Sequence, residues 1–219
     1  MKVAIMQPYF FPYYGYYQMI GNVDLFVILD DVSFIKKGFI NRNYFPNQER
    51  FTVPLNKPSQ NKLIKDTLLS DTFPAWRQKF LANIENKYSK CPSFAKTHPL
   101  IKNIMFRDCK TISQLSSSTL IEISSLLELK TKIVLSSELR IGGKFDQKLI
   151  NICKHFGAEV YINSVGGRTL YDKEKFRNNG IELKFIESKK TFNYVSIIDT
   201  IMNNDVKILN NAIEDVEFS

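Results

Sequence analysis

Short apolar runs alternate along this chain with segments in which apolar residues return every third or fourth position. Residues 2–6 (KVAIM) make the first extended run, and Gln7-Pro8 ends it. From Tyr13 to Val23 bulky residues recur near helical spacing (Tyr13, Tyr16, Tyr17, Ile20), which predicts a helix. Leu25 to Leu29 is continuously apolar and is followed by Asp30-Asp31, the pattern of a parallel strand buried on both faces. Strand, helix, strand makes a βαβ unit. Residues 35–45 read as a loop leading to another extended piece, 51–55 as a strand, and 57–62 as a polar turn.

From about 73 to 129 the spacing is helical throughout, so residues 70–130 read as a helical insertion. The α/β rhythm then returns. Residues 132–139 predict a strand that ends at Ser136-Ser137, and 145–157 an amphipathic helix stopped by Gly157. Residues 158–164 predict a strand, 172–180 a helix capped by Asp172 and stopped by Gly180, 181–187 a strand, and 195–205 a closing helix. The fold class predicted is α/β. One domain over 1–219 carries a doubly wound, mostly parallel sheet, and the insertion sits within it.

Composition narrows the setting. A chain of 219 residues with 44% hydrophobic and 24% charged residues can build a sizeable core. No apolar run is long enough to cross a bilayer, and Gln7-Pro8 cuts short any export signal. Cys91, Cys109 and Cys153 are odd in number and far apart, which argues against a disulfide framework or a zinc site and for a cytoplasmic protein. The net charge of +8 favours anionic partners such as nucleotides, nucleotide-sugars, tRNA or an anionic membrane, unless it is only a solvated lysine-rich face.

In a doubly wound sheet, ligands lie beyond the carboxyl ends of the strands. The residues after each strand run are therefore the candidates. After the first strand, Gln7, Tyr9, Tyr13 and Tyr16 crowd around two prolines and Gly15. Phenol rings offer flat apolar faces to a base or sugar and a hydroxyl to a phosphate. The alternative is plain core packing or a dimer face, and exposed aromatics here would make a homodimer unsurprising. After the second strand, Asp30 and Asp31 could orient an amine, accept its proton or bind a metal, although adjacent strand residues point to opposite faces. Lys37, Asn41 and Arg42 follow, and Arg42 could fork onto a phosphate. Ser136 and Ser137 follow the third run, and Asn163, Gly166, Gly167 and Arg168 the fourth, where a Gly-Gly-Arg turn is a weak anion signal. His98 and His155 suggest no catalysis, Cys153 reads as core, and no P-loop, GxSxG or HExxH motif is present.

Four stretches carry a resemblance: MQPYFFPYYGYYQMI with DLFVILDDVSFIKKGFINRN, then AEVYINSVGGRTLYD, then F-x3-GIELKFIE, then YVSIIDTIMNND. Together they resemble the WbqC-like family over nearly the whole chain, most weakly over the helical insertion. Members of that family are similar to proteins encoded among genes for O-antigen, lipopolysaccharide and other surface polysaccharides, several labelled glycine transferase. The resemblance implies transfer of an acyl or aminoacyl group, glycyl among them, to the amine of a nucleotide-linked amino sugar. On that reading Asp30 or Asp31 is the base or the amine-orienting carboxylate, and Gln7 and Asn41 hold the acyl carbonyl or sugar hydroxyls. Tyr9 and Tyr16 form the stacking wall, and Lys37, Arg42 and Arg168 meet the pyrophosphate. The donor is left open between aminoacyl-tRNA, a coenzyme A thioester, and an amino acid with ATP. The opening is also similar to that of nucleotidylyltransferases. Their phosphate-binding His-x-Gly-His would fall on Tyr13, Tyr14, Gly15 and Tyr16, so the histidines are missing. An adenylate-forming ligase is therefore a rival reading. A non-catalytic sugar-nucleotide-binding partner of a glycosyltransferase complex is another.

Overall fold

In the computed structural model, which describes residues 1–189, 192 and 194–219, strand β1 (Lys2–Met6) runs into an aromatic loop, helix α1 (Tyr14–Gly21) and strand β2 (Leu25–Ile28). The predicted βαβ unit is formed. Next come β3 (Arg42–Tyr44) and β4 (Arg50–Thr52), then α2 (Phe73–Tyr88), α3 (Phe94–Met105) and α4 (Ile112–Leu126). The chain returns through β5 (Lys132–Leu135), α5 (Ser136–Leu139), α6 (Asp146–His155), β6 (Val160–Ser164), α7 (Lys173–Arg177) and β7 (Glu182–Ser188). It closes with α8 (Ile197–Asn203), α9 (Val206–Asn211) and β8 (Val216–Phe218).

The main sheet has the order β5-β2-β1-β6-β7-β8. The first five strands are parallel, and β8 is antiparallel to β7. The chain winds outward from β1 through β2 to β5, then crosses back to β6 and winds the other way. The direction reverses between β1 and β6, and a crevice opens there at the carboxyl edge.

Alternation within the strands builds both layers. Ala4, Phe26, Ile28 and Ile162 face one core, shared with α1, α8, α9 and the helices α2–α4. Val3, Ile5, Leu25, Val27 and Tyr161 face the other, closed by α6 and α7. That is the period-two rule read on strands covered on both sides. Burying this apolar surface stabilises the sheet by about 25 cal/mol for each Å² removed from water.

Several predicted elements differ in detail. The run at 51–55 is not part of the main sheet: β4 pairs antiparallel with β3 in a separate two-stranded sheet. The run at 132–139 ends as a strand at Leu135, and its last four residues coil into α5. The helical stretch divides into three. α4 is started by a capping box in which the Gln114 backbone N–H donates to the Thr111 hydroxyl (3.3 Å) and the Thr111 N–H donates to the Gln114 side chain (3.2 Å). Asp172 caps α7 by accepting from the Glu174 N–H at 2.9 Å, and Gly180 stops the segment with φ of 76°. Neither α9 nor β8 was predicted; three residues of strand give too little alternation to register.

Candidate site at the carboxyl edge

The aromatic loop between β1 and α1 is held from several sides. The Phe10 N–H donates to the Phe39 carbonyl (3.0 Å). The Phe11 carbonyl accepts from Asn43 Nδ2 (2.7 Å) and from the Ser196 hydroxyl (3.0 Å). The Ile197 N–H donates to the Pro12 carbonyl (2.9 Å). These bonds hold Phe11 at φ of 44°, a left-handed backbone that a bulky residue keeps only when its surroundings impose it. Phe10 and Phe11 are core residues, as are Tyr14 and Tyr17. Most of the crowded aromatics therefore pack the fold, and the exposed aromatic face that would have favoured a dimer is not formed by them.

The remaining rings line a cavity of about 300 Å³ at the crevice, together with Met6, Phe39 and Ser164. Tyr16 is its floor: the ring is 1% exposed, and its hydroxyl donates to the Gln7 carbonyl at 2.6 Å. Tyr9 stands between Tyr16 and Phe39, with ring centroids 5.6 and 5.7 Å away. Tyr13 leads α1 and tilts against Tyr194 at 5.6 Å. Gly15 makes room for it, since a Cβ there would lie 2.5 Å from the Tyr13 ring. Burial pushes the phenols of Tyr9, Tyr13 and Tyr16 above their ordinary value, and neighbouring phenols add to this. All three stay neutral at physiological pH. A wider groove of about 850 Å³ lies beneath the amino ends of the strands, and another of about 390 Å³ lies beside α7. Neither touches the point where the winding reverses.

One strand over, the two carboxylates part company. Asp30 is 2% exposed. Its Oδ1 accepts from the Ser137 backbone N–H, and its Oδ2 from the hydroxyls of Ser137 and Ser113, each at 3.0 Å. Asp31 points the other way and pairs with Lys148 at 2.6 Å, their side chains 14% and 10% exposed. Ser136 stands between them. Its oxygen accepts from the Asp30 N–H (3.1 Å) and lies close to both carboxylates, and its one proton goes to the nearer, Asp31. The opposite orientation of adjacent strand residues thus persists past the end of β2.

The other candidates are scattered around this edge. The Gln7 side chain is half-buried beside β1. Asn41 is buried, with Nδ2 donating to the Val53 carbonyl (2.9 Å) and Oδ1 without a partner among the described residues. Arg42 lies on β3, where its Nε is likewise buried and unpaired among the described residues. Lys37 stands exposed at a loop tip with φ of 67°. Asn163 faces the α6–α7 layer, donating to the Tyr161 hydroxyl (2.7 Å) and accepting from the Ser164 N–H (2.7 Å). Arg168 bonds the Ser219 hydroxyl and lies over Phe185 at 5.9 Å. Gly167 is packed under Asn163 and Tyr171, so the Gly-Gly turn is not open there. His98 stacks on Phe94, and all three cysteines are free. Among the described residues no acidic, histidine and cysteine cluster could hold a metal, and no helix is long and apolar enough to cross a membrane.

Sequence reasoning did not select Phe39, Ser113, Lys148 or Tyr194. Lys148 left one trace: a lysine on the apolar side of an amphipathic helix, beside Leu149 and one turn before Ile152.

Residues 7–211 match the WbqC-like protein family. The chain belongs to that family. The matched span begins at Gln7 and takes in the tyrosine loop, both carboxylates and the helical stretch. This WbqC-like chain is also 27% identical over 217 residues to an uncharacterized protein of Mycobacterium tuberculosis, covering 92% of this chain and 93% of that one. No solved structure matches it.

Proposed function

We propose that this WbqC-like protein transfers an acyl or aminoacyl group to the amine of a nucleotide-linked amino sugar in surface-polysaccharide synthesis. The observation that carries this reading is the tyrosine-lined cavity at the crevice where doubly wound sheets hold nucleotides. Tyr9 and Tyr13 flank the sugar or base, and Tyr16 and Met6 form the floor. Asp31 orients the acceptor amine and takes its proton. Asp30 acts through Ser136 and Ser137, holding the β5 end against the β2 end. Gln7 and Asn41 supply amide contacts, while Lys37, Arg42 and Arg168 lend positive charge to the edge.

In the step itself, the neutral amine nitrogen forms a bond to the donor's carbonyl carbon. The carbonyl's bond to its leaving group then breaks, and the amine proton passes by way of the carboxylate to the departing oxygen or sulfur. The leaving group is a tRNA 3′-hydroxyl, the coenzyme A thiol, or AMP if the donor is an amino acid activated by ATP.

The test is product analysis by mass spectrometry. The full-length protein is incubated with a nucleotide-linked amino sugar and, in turn, glycyl-tRNA, acetyl-coenzyme A, and glycine with ATP. An acylated sugar-nucleotide from one donor, lost in Asp31→Ala, supports the proposal. Sugar-nucleotide binding with no product from any donor refutes it. That result would favour a non-catalytic sugar-nucleotide-binding partner, a reading to which the full engagement of Asp30 and the Asp31–Lys148 pair also lend support.

A further inference from the structure

The carboxyl edge exposes large apolar side chains on separate loops. Ile35 and Phe39, after β2, are each 45% exposed; Phe145, between α5 and α6, is 90% exposed; Leu170, after β6, is 70% exposed. The Lys148–Asp31 pair ties the first turn of α6 to the end of β2, so the loops at 32–40 and 140–145 both spring from the carboxyl edge of the sheet. Lys37, Arg140 and Phe145 adopt left-handed backbone (φ 67°, 55° and 47°), which marks tight turns in both loops. The loop at 140–145 rests on α6 at its base, where the Gly142 carbonyl accepts from Asn151 Nδ2 (3.0 Å), while an added Cβ on Gly142 itself would meet nothing within 4 Å.

Charge follows the same two loops. Lys36, Lys37, Arg140 and Lys144 are all exposed, and residues 32–40 and 140–145 contain no carboxylate. Asp30 and Asp31, which precede them, are taken up by serine donors and Lys148. Glu138 on α5 is the exposed acid nearest in sequence.

We propose that this edge docks on an anionic lipid surface. Ile35 and Phe145 enter the headgroup boundary, and the four cations meet lipid phosphates. Isolated apolar tips flanked by lysine and arginine suit an interface that is apolar below and anionic above. A nucleic acid would satisfy the cations, but Ile35 and Leu170 have no π-face on which a base could stack. A protein partner of ordinary size calls for a contiguous apolar core, whereas these tips stand on separate loops. Docking by this edge also turns the mouth of the tyrosine cavity toward the bilayer. The inference does not depend on the acyl-transfer reading.

Co-sedimentation of the full-length protein with lipid vesicles tests it. Binding is expected to vesicles of phosphatidylcholine with phosphatidylglycerol, weakening as salt rises, and not to phosphatidylcholine alone. Each basic side chain removed should lower the partition coefficient about fivefold. The Lys36→Ala/Lys37→Ala pair should therefore lower it about 25-fold, and Phe145→Ser about tenfold. These residues are exposed, so an unchanged melting temperature confirms folding. Equal binding to both vesicle types, no binding to either, or variants that bind like the wild type would overturn the proposal. So would binding of a short RNA, with no vesicle binding, that the lysine variants abolish. A concentration-dependent dimer lost in Phe145→Ser, again without vesicle binding, would assign the surface to a second copy of the chain instead.

Discussion

Replacing Asp30 separates a structural carboxylate from a reacting one. Its oxygens accept from one backbone N–H, that of Ser137, and from two hydroxyls, those of Ser137 and Ser113. These donors join the ends of β2 and β5 to α4. In Asp30→Ala all three lose their acceptor, Ser113 in a buried setting and Ser137 in a partly buried one. A buried donor left unpaired costs about 1–3 kcal/mol, and bonds to a charged acceptor contribute about 1.5–3 kcal/mol each, not additively. Because the hydroxyls can turn to other partners and the N–H cannot, the sum comes to about 3–5 kcal/mol. For a chain of this size that lowers the melting temperature by roughly 10 °C. Asp30→Asn behaves differently. Its Oδ1 still accepts from the Ser137 N–H, and both hydroxyls can rotate to accept from the new amide, so the loss is about 1–2 kcal/mol of charge assistance. Urea unfolding of the three proteins reads the difference directly. An Ala variant within 1 kcal/mol of wild type, or an Asn variant as unstable as Ala, would refute the reasoning. Asn that leaves stability intact but abolishes turnover would make Asp30 the reacting group.

Gly15→Ala should leave stability unchanged or slightly raised, because alanine suits a helix better than glycine by roughly 0.5–1 kcal/mol. The new Cβ must nevertheless displace the Tyr13 ring, so ligand affinity should fall about tenfold while the melting temperature holds; unaltered affinity would mean that Tyr13 does not form the wall. Burial raises the Asp199 carboxyl above its ordinary value, against a hydrogen bond from the Tyr88 hydroxyl at 3.1 Å that pulls it down. The folded chain thus holds this proton more tightly than the unfolded chain. The contribution is full below the ordinary carboxylate range and is lost as pH rises to the raised folded value, so Asp199→Asn should flatten that part of the stability–pH curve; an identical curve would show the group to be neutral in effect. Cys153 is fully buried, and burial pushes its thiol up to about 12, so Ellman's reagent should reach it only on unfolding, while the half-buried Cys91 and Cys109 react first. Three thiols reacting at one rate in the native protein would contradict that.

Much of the sheet could be read from pattern because its strands are covered on both faces. Leu25 to Leu29 had to be an unbroken apolar run, and Gln7-Pro8 and Asp30-Asp31 had to mark where strands stop. That placed Tyr9, Tyr13 and Tyr16 at the edge. What those tyrosines do there was not legible. Tyr14 and Tyr17 differ from Tyr13 only by one or a few positions along the same loop and helix, yet helical rotation sends them into the core. The environment of Asp30 was hidden for another reason. Ser113 lies 83 residues away and Ser137 lies 107 away, and no local pattern announces which serines a folded chain will bring to one carboxylate. The separate β3–β4 sheet was missed because three-residue strands carry almost no alternation, and their partner is chosen by the turn between them.

Isothermal titration calorimetry of a nucleotide-linked amino sugar against the wild-type protein, Tyr9→Ala and Tyr13→Ala tests the central claim most directly. Saturable binding to the wild type, weakened about tenfold or more in each variant at an unchanged melting temperature, is the predicted result. No binding to the wild type, or the same affinity in all three proteins, would contradict a ligand site in the tyrosine-lined crevice.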